Sequence, residues 1–177
     1  MGLPKKFLKE KKKVFKNWGE AKKHNAVLLH LAEGAVTAVM KITEDDLTPH
    51  ATDTNVVFGG NHFMLANMAG ALGVIALLDE DEEPLLVSGK IEFMEPALIE
   101  EKFLQARAII CPEYTEDKNG KTRKKFSVFV DLTNAEGRIK ACAELNYSAK
   151  PYRLHKKNID ELRKYAKEAS EKERKRK

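Results

Sequence analysis

Groups that could do chemistry cluster near the start of the most apolar stretch of the chain, residues 56–78. They are Gly59, Gly60, Asn61, His62 and Asn67, with Phe58 and Phe63 beside them. Two glycines let a ligand approach the backbone, and free N–H groups at a helix start can hold a carbonyl oxygen. On residue types alone, a tight turn from a strand into a helix is the simpler interpretation. His62 is as readily a satisfied, partly buried side chain as a ligand contact.

The same stretch predicts a helix that has no polar face. From Gly60 onward its apolar residues fall on every side of a helical wheel, so other elements must enclose it. Its length is close to the ~20 apolar residues of a membrane span. Two polar residues within it, His62 and Asn67, and the lack of a second such stretch argue against a span. We therefore expect a helix enclosed by a sheet and ended by the acidic residues 79–83.

The rest of the central region has the alternation of half-buried strands. Predicted strands cover residues 34–42, 85–93, 102–111, 125–132 and 138–147, while residues 25–31 are predicted as helix or connector and 48–54 as loop. Asn119-Gly120 is the strongest short-range hairpin signal in the chain. One strand, a buried helix and a meander of four strands predict an α+β domain, in which a curled antiparallel sheet surrounds the helix.

Charge divides the chain into two basic arms and an acidic centre. Residues 1–24 hold nine basic and two acidic residues, residues 150–177 hold twelve and five, and the centre holds eleven and twenty. We predict an N-terminal helical arm over residues 1–33, a domain over 34–148 and a charged helical tail over 149–177. The amphipathic N-terminal helix either docks its narrow apolar stripe, Phe7, Val14, Phe15 and Trp18, on the domain or binds anionic membrane or nucleic acid.

The two cysteines indicate a reducing compartment. Cys111 and Cys142 lie in apolar strand-like runs, so we expect buried, reduced thiols rather than a disulfide. Neither has the spacing of a metal ligand, and we predict no metal site. The lysine-rich start is not followed by a continuous apolar segment, so we expect a cytoplasmic protein.

Two motifs carry a resemblance to a known family. Residues 58–67 read Phe-Gly-Gly-Asn-His-Phe-Met-Leu-Ala-Asn, and the next strand ends in Phe93-Met94-Glu95-Pro96-Ala97. Together they resemble the hot-dog acyl-CoA thioesterases of the phenylacetate type, which carry His-Gly-Gly-x-x-Phe-x-Leu-Ala-Asp and then Phe-x-x-Pro-Ala. The resemblance covers residues 34–148. It implies a hot-dog fold, a homodimer with the ligand cleft between two subunits, and acyl-thioester contacts from Phe58, Gly59, Gly60, Asn61, His62, Phe63 and Asn67.

One departure from the family motif decides the predicted chemistry. Asn67 stands where the family has its catalytic acid, and Phe58 replaces the frequent histidine. An amide lacks the basic lone pair of a carboxylate, so Asn67 can form hydrogen bonds but cannot act as nucleophile or general base. No catalytic residue is therefore assigned.

The same change resembles a non-catalytic branch, the malonyl-CoA-binding effector domain of the fatty-acid-synthesis repressor FapR, which has Phe-x-x-Ala-Asn at this site. No helix-turn-helix pattern precedes the domain here. Phe58 also occupies the position of the arginine that meets the malonyl carboxylate, so a dicarboxylic acyl group has no charged partner.

Three functions remain open from the sequence. The first is an acyl-CoA or acyl-carrier binding module with little or no turnover, with acyl-CoA as ligand rather than cofactor. The second is a thioesterase that uses another carboxylate, such as Asp53, Glu92 or Glu95. The third is a lipid-sensing regulator that binds nucleic acid or a membrane surface through its basic arms.

Overall fold

The structure is a computed structural model that describes residues 13, 15–48, 55–79, 82–116 and 122–151. One six-stranded antiparallel sheet provides most of it. Its strands are β1 (Ala26–Ala32), β2 (Ala35–Lys41), β3 (Glu82–Phe93), β4 (Phe103–Glu116), β5 (Thr122–Thr133) and β6 (Ile139–Pro151). Their order in the sheet is β1-β2-β4-β5-β6-β3. Strand β3 therefore lies at an edge, paired along its length with β6.

The long apolar helix lies at the centre, as the wheel pattern predicts. This helix (Gly59–Ile75) contacts all six strands, so the sheet curls around it. The facing positions of β4 and β6 carry buried alanines, which let the helix approach the sheet closely. The approach is closest at Gly73, where an added Cβ would lie 2.2 Å from Cδ1 of Ile110.

The strand predictions are confirmed in position, with two corrections. Residues 25–31 were predicted as helix or connector, but Ala26–Ala32 form β1, which joins β2 through a turn at Gly34 with φ of 77°. The last four strands are not a simple meander, because β3 pairs with β6 instead of β4. Strand β4 runs to Glu116 and β5 begins at Thr122, opposite it, which confirms the hairpin although its turn lies outside the described residues.

The described part of the N-terminal region packs on the domain. Residues 15–17 are helical, and the short helix α1 (Gly19–Lys23) follows. The long central helix (Gly59–Ile75) is therefore labelled α2. Phe15 is 1% exposed and meets Trp18 edge-to-face, with ring centroids 6.4 Å apart. Residues 1–12 and the tail 152–177 lie outside the description, so the predicted arms and domain limits stay predictions.

The cysteine prediction is half right. Cys111 and Cys142 are free thiols, but Cys111 is exposed and Cys142 is only partly buried. Strand alternation puts both on the outer face of the sheet, because their neighbours Ile110, Ala141 and Ala143 face the helix. None of the helices described here has the length and apolar character needed to cross a membrane.

Candidate functional site

A buried carboxylate fixes the start of α2. Asp46, 2% exposed, accepts hydrogen bonds from the backbone N–H and the hydroxyl of Thr43 at 2.9 and 2.8 Å. Its backbone oxygen accepts from Nδ2 of Asn61 at 3.0 Å and from the N–H of Phe58 at 2.8 Å. The Asn61 amide also donates to the carboxylate at 3.2 Å. The side-chain nitrogen of Asn61 is therefore engaged in holding the first helical turn in place.

The two glycines at the helix start make room for aromatic rings. Neither has a positive φ, so a special backbone conformation does not require them. An added Cβ on Gly59 would lie 2.9 Å from Cζ of Phe93, and one on Gly60 would lie 2.4 Å from Cε1 of Phe58. Both rings are about half exposed. The first turn of α2 thus carries free N–H groups beside two exposed apolar rings.

A cleft of about 390 Å³ opens beside this turn. It is lined by Thr48, Val56, Val57, Gly59, His62 and residues 93–97, and we call it the helix-start cleft. The Phe93-Met94-Glu95-Pro96-Ala97 motif forms one of its walls. Most of the lining is apolar, while Thr48, His62 and Glu95 supply polar side chains.

His62 is the most deeply buried polar side chain in this cleft. It is 2% exposed, and its ring meets that of Phe93 edge-to-face with centroids 5.6 Å apart. Its Nδ1 lies 3.4 Å from the carbonyl oxygen of Phe58. Burial lowers the pKa of His62, although the Phe58 carbonyl and the charge of Glu101 act to raise it. The imidazole is therefore neutral at pH 7.

A buried ion pair supports the wall formed by residues 93–97. Lys140, 4% exposed, lies 2.7 Å from Oε1 of Glu101 and 3.4 Å from Oε2 of Glu95. Lys140 also donates to the carbonyl oxygen of Pro96 at 3.2 Å. Burial acts to raise the pKa of Glu101, but hydrogen bonds from Lys140 and Asn134 hold that pKa below its ordinary value. This pairing leaves Glu95, which is exposed, at the rim of the cleft.

Asn67 lies on another part of the helix, away from the cleft lining. The hydroxyl of Tyr147 is 2.8 Å from Oδ1 of Asn67 and 3.1 Å from its backbone oxygen. Tyr147 is 3% exposed, and burial raises the pKa of its hydroxyl well above the ordinary value. Eight residues separate Asn67 from Gly59, which is about 12 Å along the helix axis. In one chain, Asn67 and the helix-start cleft are therefore two separate features.

The remaining predicted site residues also differ in whether they line the helix-start cleft. Phe63 faces the β3 side, because an added Cβ on Gly89 would meet its ring at 3.0 Å. Glu92 is exposed on β3 and pairs with Lys90, so it does not belong to the cleft. Of the three alternative carboxylates, only Glu95 lines the cleft, and Asp53 lies outside the described residues.

Sequence reasoning missed three supporting residues. Asp46 and Lys140 had no motif around them, and Tyr147 is one apolar position in an alternating strand. Phe93 could have been found, because it opens the Phe-x-x-Pro-Ala motif and now forms a cleft wall.

Solved structures share this arrangement of helix and sheet. A thioesterase from Haemophilus influenzae superposes with a TM-score of 0.65 at 16% identity, covering 82% of this chain and 91% of the other. The chain adopts the hot-dog fold. A mutant thioesterase from Staphylococcus aureus gives a TM-score of 0.62 at 19% identity, covering 75% of this chain and 98% of that one.

The PaaI protein of the phenylacetic acid degradation operon of E. coli is also similar to this hot-dog chain. Its TM-score is 0.57 at 19% identity, with 77% of this chain and 87% of PaaI covered. No protein-family model matches the sequence, and no curated protein matches it. The fold predicted from the two motifs is confirmed, while the likeness to the FapR effector domain stays a prediction.

Proposed function

We propose that this hot-dog protein binds fatty acyl thioesters of the acyl-CoA type in the helix-start cleft. The observation that carries the proposal is the meeting of two chemistries at one place. The first-turn N–H groups at Gly59 and Gly60 suit a thioester carbonyl oxygen, and the positive end of the helix dipole reinforces them. Phe93 and Met94, both more than half exposed, offer an apolar surface for an acyl chain.

The character of Asn67 supports binding with little turnover. Its amide forms a hydrogen bond with Tyr147 and has no basic lone pair with which to activate water. Two solved structures of the same fold are named thioesterases, and we take thioesters as the substrate class of this proposal from them. The regulatory role, the cytoplasmic location and the binding of nucleic acid or membrane by the arms stay predictions.

The proposed active form is a homodimer joined at β3. Among the described strands, β3 has one neighbour only, so its other edge is open for pairing. Val87 on β3 is 64% exposed, and Phe93 and Met94 at its end are 54% and 56% exposed. Antiparallel pairing of two β3 strands is self-complementary and covers Val87, while Phe93 and Met94 stay available to line the cleft. The proposal also requires that this pairing brings the Asn67 side of one helix toward the helix-start cleft of the second copy.

Native mass spectrometry combined with calorimetry tests the proposal. Protein purified from its own host is expected to show the dimer mass with a retained acyl-CoA, and added fatty acyl-CoA is expected to bind. Met94→Glu places a charge in the apolar wall and should weaken binding at least tenfold. Val27→Glu is the matched control, since Val27 is also 56% exposed but lies on β1 outside the cleft. Binding that is equal in both variants, or absent from the wild type, contradicts the proposal.

A thioesterase that uses Glu95 is the second candidate function. It is favoured by the position of Glu95 in the cleft with Gly59 and His62. A carboxylate there could act as general base on a water molecule. Glu95→Gln would then lower acyl-CoA hydrolysis by about a hundredfold or more while binding persists. If hydrolysis is unchanged in Glu95→Gln, this candidate is wrong.

A further inference from the structure

One atom in the helix-start cleft lacks the partner that its chemistry requires. Nε2 of His62 is buried and has no hydrogen-bond partner within the part of the chain that the structure describes. Buried polar atoms of proteins almost always have a partner. Nε2 itself has almost no accessible surface, but its ring lines the cleft, so a molecule bound in the cleft can supply that partner after a small movement of the surrounding side chains.

The hydrogen-bonding geometry identifies which ring nitrogen carries the proton. Nδ1 lies 3.4 Å from the carbonyl oxygen of Phe58, which can only accept a hydrogen bond, so a hydrogen bond between them requires the proton on Nδ1. The charged groups near the ring are Glu101 and Lys140, which have opposite effects on its pKa, and Glu95 lies in the same cleft. Burial outweighs them and keeps the ring neutral. The orphaned Nε2 therefore presents a lone pair and acts as an acceptor.

We infer that His62 is the proton acceptor of a slow thioester hydrolysis in this cleft, with Nε2 holding the attacking water molecule. The inference rests on the proposed function, because it needs an acyl thioester whose carbonyl oxygen lies at the first turn of α2. Water is the donor that fits Nε2, since it can give one hydrogen to the ring and present its oxygen to the carbonyl carbon.

The reaction uses only water and the thioester. The water oxygen forms a bond to the carbonyl carbon while one water proton passes to Nε2 of His62. The carbonyl oxygen becomes an oxyanion that accepts hydrogen bonds from the N–H groups of Gly59 and Gly60. Collapse of this intermediate breaks the C–S bond, and the proton on Nε2 passes to the leaving sulfur. The products are a carboxylic acid and a free thiol, and the imidazole is neutral again.

The surroundings of His62 explain why this hydrolysis is slow. Nδ1 faces a neutral carbonyl at 3.4 Å, which is long for a hydrogen bond, instead of a carboxylate that would stabilise the imidazolium. Burial also opposes the positive charge that forms on the ring during the step.

The test compares hydrolysis and binding of a fatty acyl-CoA by the full-length wild type, His62→Gln and His30→Gln. His30 is exposed on β1, so its substitution controls for the loss of an imidazole elsewhere. In His62→Gln, kcat is expected to fall about a hundredfold and to change more than the affinity measured by calorimetry. The His62-dependent rate should be constant above pH 7 and fall only as the pH drops through the pKa of His62, which burial holds below its ordinary value.

A second measurement uses the wild type alone and does not depend on whether a variant folds. Nitrogen NMR of the histidine side chains should show His62 neutral, with hydrogen on Nδ1, at pH 7. The opposite tautomer overturns the inference, as does binding without any hydrolysis above the uncatalysed rate, or equal kcat in wild type and His62→Gln. If no acyl-CoA binds at all, the proposed function fails, and this inference fails with it.

Discussion

Replacing Asn67 by Asp tests whether the missing acid limits catalysis. The substitution is nearly isosteric and adds a carboxylate within reach of the Tyr147 hydroxyl, which lies 2.8 Å from Oδ1. Partial burial raises the pKa of the introduced carboxylate, while a hydrogen bond from Tyr147 lowers it. A hydrogen bond to a charged group contributes about 1.5–3 kcal/mol, against about 0.5–1.5 for a neutral pair. The difference of roughly 1 kcal/mol corresponds to slightly less than one pKa unit.

The assay is the pH dependence of acyl-CoA hydrolysis in three variants. Asn67→Asp should be about a hundred- to ten-thousand-fold faster than the slow wild type, as expected for general-base assistance. Only the ionised carboxylate is active, so the rate rises with pH through its pKa. Adding Tyr147→Phe to Asn67→Asp should raise by about one pH unit the pKa at which the pH–rate profile rises. Tyr147→Phe alone should keep the slow wild-type rate and add no such rise to the profile.

Two results would refute this reasoning. Wild-type turnover at ordinary enzyme rates, on the order of 1–10³ per second, would show that an amide at position 67 does not limit catalysis. An Asn67→Asp protein that binds acyl-CoA without any gain in rate would show that the carboxylate does not reach the thioester. Since Asn67 lies about 12 Å from Gly59 along one helix, the gain should also disappear when dilution dissociates the dimer.

Three further predictions concern packing and the N-terminal region. In a urea titration, Gly73→Ala should destabilise the fold by about 1 kcal/mol. Its new Cβ lies 2.2 Å from a core isoleucine, and the overpacking cost of about 1–3 kcal/mol exceeds the gain in helix propensity. Gly19→Ala, with open space around it, should be neutral or stabilising in the same titration. Phe15→Ala should cost about 3 kcal/mol or more, because Phe15 is 1% exposed. Deleting residues 1–24 should likewise lower the melting temperature with little change in acyl-CoA affinity, whereas strong salt-dependent binding to anionic vesicles or DNA that disappears on deletion would contradict a purely docking role.

The sequence by itself determined the elements of the fold. The local signals are the alternation over residues 125–132 and 138–147, the Asn119-Gly120 turn and the apolar residues on every side of the helical wheel after Gly60. Side-chain spacing of this kind directly reflects strand or helix geometry. The Phe-Gly-Gly and Phe-x-x-Pro-Ala motifs added the topology through resemblance. Residues 26–32 were missed because a short apolar run gives no period that separates strand from connector.

Only the tertiary structure decided which of these groups meet. Strand β3 pairs with β6 because the chain crosses the sheet through α2, and nothing local in residues 82–93 specifies that partner. Tyr147 and Asn67 are 80 positions apart in sequence, and Lys140 and Glu95 are 45 apart. Whether Nε2 of His62 has a hydrogen-bond partner likewise depends on every element that packs around it. Contacts of this kind follow from how distant segments pack together, which local side-chain periodicity does not encode.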